Sequence, residues 1–533
     1  MTKLSKKRIL ILTSILLVVV VIIFTLPLYL NGLLEKKLVQ EFNNQTNQDY
    51  HLSFSDIRLE ILSRSITVDS VSVSTDDTLQ LKQAITATSI SLDGIKWFSL
   101  LTNPFPKFGL ITVNEPIVYI HESDFFSKLF KETATSDSTV SDTSKTINNL
   151  SIFDFIISNG RATILNDQGD EVISVENLSL EASEIDVQKL MNGADLLFLD
   201  ELTIGGSGLT WVVQKDFYEI SIEHLLIDKK EKSIILSNFA YHPLLPKYDF
   251  SIAKGYQLDR YNLKIPEIEV TGLDLESLSV RHVNIGQITV VDPWFEVFRN
   301  KQIAKRNVIK IKPLLNEVAH SIDFSVGIDR IDISGGTILY DEHTPPHATP
   351  GGISFNDLNA TLTDIRTAQH PDFKSDTLSL HAETQFMDVA SLVVDVDYPV
   401  FRTDDLHSLS IKLGSIDPSA VSDILEKSGF LRVEEGLVQG LTADLSLSSE
   451  QSTGRLILLY SDLKVSILNK DQPQRENIFQ RFGDLLVNTF VVKSNNEISD
   501  PRVAEIEFKR EKDKSIFAYW WKSVLDGIQK TIK

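Results

Sequence analysis

A mainly β protein, built as an antiparallel sheet from internal repeats, is predicted by three observations. Apolar and polar residues alternate with period two along much of the chain, a stretch of sequence returns about 180 residues after its first appearance, and helical periodicity is confined to short segments.

The repeat is legible block by block. Gly109, Ile111, Thr112, Val113, Glu115 and Pro116 return as Gly286, Ile288, Thr289, Val290, Asp292 and Pro293. Upstream, Ile90, Leu92, Gly94 and Ile95 match Ile268, Val270, Gly272 and Leu273; downstream, Ile173, Ser174, Val175, Leu178 and Ile185 match Ile353, Ser354, Phe355, Leu358 and Ile365. Three blocks in one order at nearly constant spacing point to an array of similar units.

Alternation sets the strands. Ile66 and Val68, Val71 and Val73, Leu79 and Leu81, and Ile90 and Leu92 are separated by Ser, Thr, Asp and Gln, as expected for an antiparallel sheet with one covered and one wet face. Each copy inserts a short helix after its Pro-containing strand, Asp124–Lys131 in the first and Pro313–Ser321 in the second, with Pro313 in the first turn. Thr133–Thr146 is a flexible Ser/Thr/Asp-rich loop by composition. Further on, Asp417 as N-cap, Pro418 at the first position, an apolar face of Val421, Ile424 and Leu425, and Gly429 as terminator mark a third helix. Strands resume at Leu431–Val433, Leu437–Leu447 and Leu456–Leu468.

Residues Ile9–Leu30 carry no charge and follow Lys3, Lys6, Lys7 and Arg8, which predicts an uncleaved membrane anchor with a cytoplasmic N-terminus and the bulk of the chain on the far side. At the other end Ile516, Trp520, Val524, Ile528 and Ile532 recur every four residues, predicting an amphipathic helix. It would cap the sheet, or rest Trp520 and Trp521 with Lys514 and Lys522 in a membrane interface. The division expected is a basic N-terminus at 1–8, the anchor at 9–30, a first β-repeat unit at 31–230 with its loop at 133–146, a second at 231–376, a third β-region at 377–508 with a helix at 417–428, and the terminal helix at 509–533.

A formal charge of −21 over 533 residues argues against nucleic acid as a partner. The absence of cysteine removes disulfides, thiolate metal sites and cysteine nucleophiles together. His343 and His347 are separated by Pro345 and Pro346, which break the helix that would aim both rings at one metal; a solvated loop is expected. Gly205, Gly206 and Gly208 around Ser207 lack the setting of a nucleophile elbow and are read as a β-turn. Asp76 with Asp77, and Glu434 with Glu435, are adjacent and point to opposite faces or lie in turns. No catalytic residue, metal or cofactor is expected.

The anchor, the acidic-Pro pairs Glu115-Pro116 and Asp292-Pro293, the strands Ile157-Ser158-x-Gly160 followed by Asp167 and Ile333-Ser334-x-Gly336 followed by Asp341, and the strand Gly440-Leu441-Thr442-Ala443-Asp444-Leu445 together resemble the AsmA-like proteins of double-membrane bacteria. Gly454, Tyr460, Asp462, Leu463, Arg510, Lys514 and the Trp520-Trp521 helix look like the ending of a Bacteroidetes-type branch. The resemblance implies an elongated, curved, taco-like β-groove with an apolar concave face, projecting from the inner membrane into the periplasm. It further implies a role in phospholipid movement toward the outer membrane and in outer-membrane homeostasis. Acyl chains would then lie against inward strand positions, represented by Val68, Val73, Ile90, Leu92, Ile111, Val113, Leu178, Leu180, Ile268, Val270, Ile288, Val290, Leu441, Ala443, Leu445 and Leu447. The other expectation is a non-catalytic scaffold assisting outer-membrane protein assembly, its apolar face filled by its own helices or by a partner.

Overall fold

Strands dominate the chain because alternation dominates its sequence. The computed structural model describes residues 31–40, 42–43, 50–75, 85–95, 108–123, 151–186, 199, 201–275, 277, 281–306, 310–367, 376–429, 431–467 and 493–532. The expected anchor at 9–30, the helix Asp124–Lys131, the loop at 133–146 and the pair Asp76–Asp77 lie outside these residues. No helix among the described residues is long and apolar enough to cross a membrane.

Two compact units divide the chain, one running through Trp211 and including Glu223–Lys232, the other comprising Val212–Ile222 and everything from Ser233. In the first, β1 (Tyr50–Ser53) and β2 (Asp56–Glu60) both pair with β3 (Ser65–Thr75), which pairs with β4 (Ile85–Asp93). β5 (Phe108–Asn114) and β6 (Ile117–His121) form one interrupted line between β4 and β7 (Ser151–Leu165); β8 (Glu171–Asp186) and β9 (Leu202–Gln214) follow antiparallel.

After β10 (Tyr218–Asp228), the second unit repeats that plan. β11 (Ser233–Pro243) pairs with β12 (Asp259–Thr271), and β13 (His282–Val291) and β14 (Trp294–Asn300) form the interrupted line between β12 and β15 (Ser325–His343). An antiparallel meander completes it: β16 (Gly351–Arg366), β17 (Thr377–Phe386), β18 (Ala390–Pro399), β19 (His407–Leu413), β20 (Leu431–Leu447), β21 (Gln451–Ile467) and β22 (Ala504–Lys509).

The sheet structure is therefore mixed rather than antiparallel. β5 and β6 run parallel to β7, and β13 and β14 run parallel to β15. A parallel return needs a long connection, and residues 301–324, which hold the helix Leu315–Ser321, supply one in the second unit.

The repeat extends to backbone detail. Gly94 and Gly272 both take positive φ, +73° and +69°, and a Cβ on either would lie 3.1 Å from the Cα of Gly109 or Gly286 respectively. Glu115 and Asp292 share φ of 49°, and the prolines that follow them lie against Gly160 and Gly336. Glu115 N–H donates to Ser158 O and Asp292 N–H to Ser334 O, at 2.7 and 2.8 Å. Each acidic-Pro pair is thus the corner at which one strand becomes two.

Three local expectations are corrected. Pro313 precedes the helix, which starts at Leu315 after the extended Leu314; Lys312 before it is tied to the C-terminal segment, its N–H donating to Lys512 O (2.8 Å) and its carbonyl accepting from Arg510 (2.7 Å). The stretch from Gly205 to Gly208 is not a turn but the interior of β9, where a Cβ on Gly206 would meet Val175 at 2.8 Å and Gly208 takes φ of +58° at a register shift against β8. The segments Leu431–Val433 and Leu437–Leu447 are one strand, with Gly436 at φ +128° between them. The helical signal at 417–428 holds: Asp417 accepts the Ser419 N–H at 2.9 Å, a 3-10 turn Pro418–Val421 follows, and the helix Ser422–Gly429 continues it.

Candidate functional site

Residues paired across a sheet share a face, so registers convert alternation into rows. In the second unit one row reads Leu236, Ile268, Val290, Ile333, Ala360, Ala382, Val394, Ile411, Ala443, Leu456 and Ala504. Its neighbour reads Ile234, Val270, Ile288, Ile331, Leu362, Leu380, Val396, Leu409, Leu445, Gly454 and Ile506. No polar side chain interrupts either row. In the first unit, Val68, Ile90, Val113, Ile157, Leu180 and Ile204 form one row and Ile66, Leu92, Ile111, Phe155, Ala182 and Leu202 the next.

Burial along these rows is uneven. From β11 to β17 every position is partly exposed except Ala360, whereas the second row closes from Val396 and Leu409 onward and the first, after the partly exposed Val394 and Ile411, from Ala443: Leu445 is 4% exposed and Leu456 0%. What closes them is the helix Ile516–Ile532, whose Tyr519, Val524 and Ile532 join Leu409, Leu441, Ala443, Leu445, Leu447 and Leu456 in one core cluster. The helix sits close. A Cβ on Gly527 would lie 2.8 Å from Leu456 Cβ.

The sequence-predicted lining residues therefore fall into two environments. Val68, Ile90, Leu92, Ile111, Val113, Ile268, Val270, Ile288 and Val290 are partly exposed and aligned in register; Val73 and Leu178 are also partly exposed, the first beyond Ser70 at φ +54° and the second beside the register shift at Asn177. Leu180 is buried in a small cluster with Ala182, Ile185 and Leu202. Leu441, Ala443, Leu445 and Leu447 are enclosed beneath the terminal helix. On that helix Trp520 packs toward the core cluster and Lys522 is buried against Glu511, while Lys514 pairs with Asp513. The aromatic residues on its outer side are Phe517, 70% exposed, and Trp521.

The opposite face carries polar rows. Thr289, Asp332, Thr361, His381, Asp395, Ser410, Asp444, Arg455 and Glu505 are paired in sequence across β13 to β22. His381 Nδ1 lies 2.6 Å from Asp395, a hydrogen bond that raises the imidazole pKa above its ordinary value. One face is thus apolar and the other charged.

Sequence reasoning missed a buried polar cluster at the ends of β12, β14 and β15. Glu342 is fully enclosed and accepts from Lys301 Nζ at 2.5 Å, Tyr340 OH at 2.8 Å and Thr344 at 3.3 Å; burial lowers the lysine pKa and raises that of the tyrosine. His343 belongs to it and is not solvated: it bonds Tyr248 OH at 2.7 Å, beside the helix Lys247–Lys254. The bonds from Tyr340, Thr344 and Lys301 to Glu342 and from Tyr248 to His343 tie that helix to the strand ends. The available signal was Tyr340-x-Glu342 continuing the inward alternation of β15.

No family model matches the chain, and no curated protein matches it.

Proposed function

We propose that this chain is a membrane-anchored, non-catalytic protein whose apolar sheet face holds or conducts phospholipid acyl chains between the inner and outer membranes. The observation that carries the reading is the pair of unbroken apolar rows left partly exposed from β11 to β17. Soluble proteins seldom leave a contiguous apolar surface of this kind without an occupant. In this reading the sheet curves into a taco-like groove around those rows, residues 9–30 anchor it in the inner membrane with the N-terminus cytoplasmic, and the remainder lies in the periplasm. Sequence-independent contact with hydrocarbon needs no catalytic group, which agrees with the lack of polar side chains in the rows.

The test is site-specific photocrosslinking in the full chain in living cells. A photoreactive residue at Val290 should capture phospholipid, and one at Thr289, on the polar face, should not. Capture of protein alone at Val290 would overturn the lipid reading and favour a scaffold for outer-membrane assembly. One observation already leans that way: over β19 to β22 the same face is filled by a helix of the chain itself.

A further inference from the structure

Beneath the terminal helix runs a row made of His407, Leu447, Ser452 and Phe508, in which two residues are polar. Both meet polar groups of the helix. Ser452 Oγ lies 2.7 Å from Ser523 Oγ, and Trp520 Nε1–H donates to His407 Nε2 at 3.0 Å. The histidine is 2% exposed, with its ring stacked on Tyr398 at 4.3 Å. Its Nδ1 lies 2.7 Å from Asp405 O, and a carbonyl can only accept. The ring therefore carries its proton on Nδ1 and offers Nε2 as the acceptor that the indole requires.

Protonation reverses this match. Nε2 would become a donor facing a donor at 3.0 Å, and a cation would appear in an enclosed site. The charged groups around it do not cancel that cost. Burial disfavours the cation most; the Asp405 carboxylate, which accepts from Tyr398 OH at 2.7 Å and from Asn316 N–H at 3.2 Å, on the helix Leu315–Ser321, favours it, and Arg510 opposes it. Lys522 and Glu511 are paired with each other.

We propose that His407 is an acid-sensitive latch for the C-terminal helix: the neutral ring seats Trp520 and holds Ile516–Ile532 on β19 to β22, and protonation releases the helix and opens the covered rows. The latch does not depend on what occupies the open stretch. Burial holds the His407 pKa below its ordinary value, so the latch contributes fully above the unfolded value of about 6.5 and is lost as pH falls from there through the folded value. Release would lengthen the exposed apolar face toward β22.

Hydrogen–deuterium exchange on the full chain tests it, with protection corrected for intrinsic rates. Between about pH 7.5 and about pH 5, protection of residues 516–532 should fall severalfold, while the helix Ser422–Gly429 changes little. His407→Gln, which accepts through its amide oxygen and does not titrate, should keep the helix protected at both values. Equal protection of the wild-type helix at both pH values, or an undiminished acid loss in His407→Gln, overturns the proposal. If His407→Gln already frees the helix at neutral pH, Trp520→Phe decides: without the indole donor the acid step must shrink, and a step of full size refutes the latch.

Discussion

Gly272 lies against Gly286 so closely that a methyl group on the first would sit 3.1 Å from both the Cα and the N of the second. Gly94 stands in the same relation to the Cα of Gly109. Adjacent strands meet at these points backbone to backbone, just beyond β4 and β12.

Gly272→Ala should therefore destabilise the second unit twice over. The left-handed conformation costs an L-residue about 1–2 kcal/mol, and the contact forces the strands apart. A loss of about 2 kcal/mol or more in urea unfolding is expected, with Gly94→Ala behaving alike in the first unit. A neutral result for both would show that the backbones have room to part.

At Gly527 two effects compete. Alanine favours a helix by up to about 1 kcal/mol, but its methyl would meet Leu456 at 2.8 Å and Ile506 at 3.0 Å, and overpacking typically costs about 1–3 kcal/mol. Packing should win. Gly527→Ala is expected to lower the thermal midpoint; a rise would mean the helix shifts freely on the sheet.

Leu445 and Val290 occupy the same apolar face with different cover. Leu445→Ala, beneath the helix, should cost about 2–5 kcal/mol, and Val290→Ala, partly exposed, roughly 1 kcal/mol or less. Comparable losses in chemical denaturation would place an equal cover over both.

His381 should titrate above an ordinary histidine because Asp395 holds its proton, and Asp395→Asn should bring it back. The sign follows from a raised folded value: this pair favours folding below the unfolded pKa, and its contribution fades as pH rises through the folded one. Ring-proton shifts followed against pH in both proteins check the direction.

How much was legible in the sequence depended on whether residue identity or chain direction carried the information. Gly94, Gly272, Glu115-Pro116 and Asp292-Pro293 were readable as a repeat because each answers a backbone requirement that few residues meet. The parallel steps at β7 and β15 were not, since period-two alternation is the same whichever way a strand runs. Gly205 to Gly208 read as a turn because glycine signals both turns and bulges. Glu342 and Lys301 were missed because charged residues suggest solvent until their partners are known. His407 was visible in principle: it continues the alternation of Leu409, Ile411 and Leu413, the only ring among aliphatics on that side of β19.

Apart from β1, which pairs with β3, and the interrupted lines β5–β6 and β13–β14, the strands of each unit pair with their neighbours in sequence. Most contacts of that kind close short loops, the pairing of β21 with β22 across residues 468–503 being the long exception, so a hairpin can form as soon as its second strand is available. The chain can consequently add structure in order, strand upon strand, each new edge serving as template for the next. Between β17 and β22 that order is strict, and the apolar rows of β19 to β22 remain uncovered until the helix beyond them arrives. The final stage of assembly for this unit is then the docking of one helix, and a chain stalled before it would present four strands of bare hydrocarbon to any neighbour in the same state.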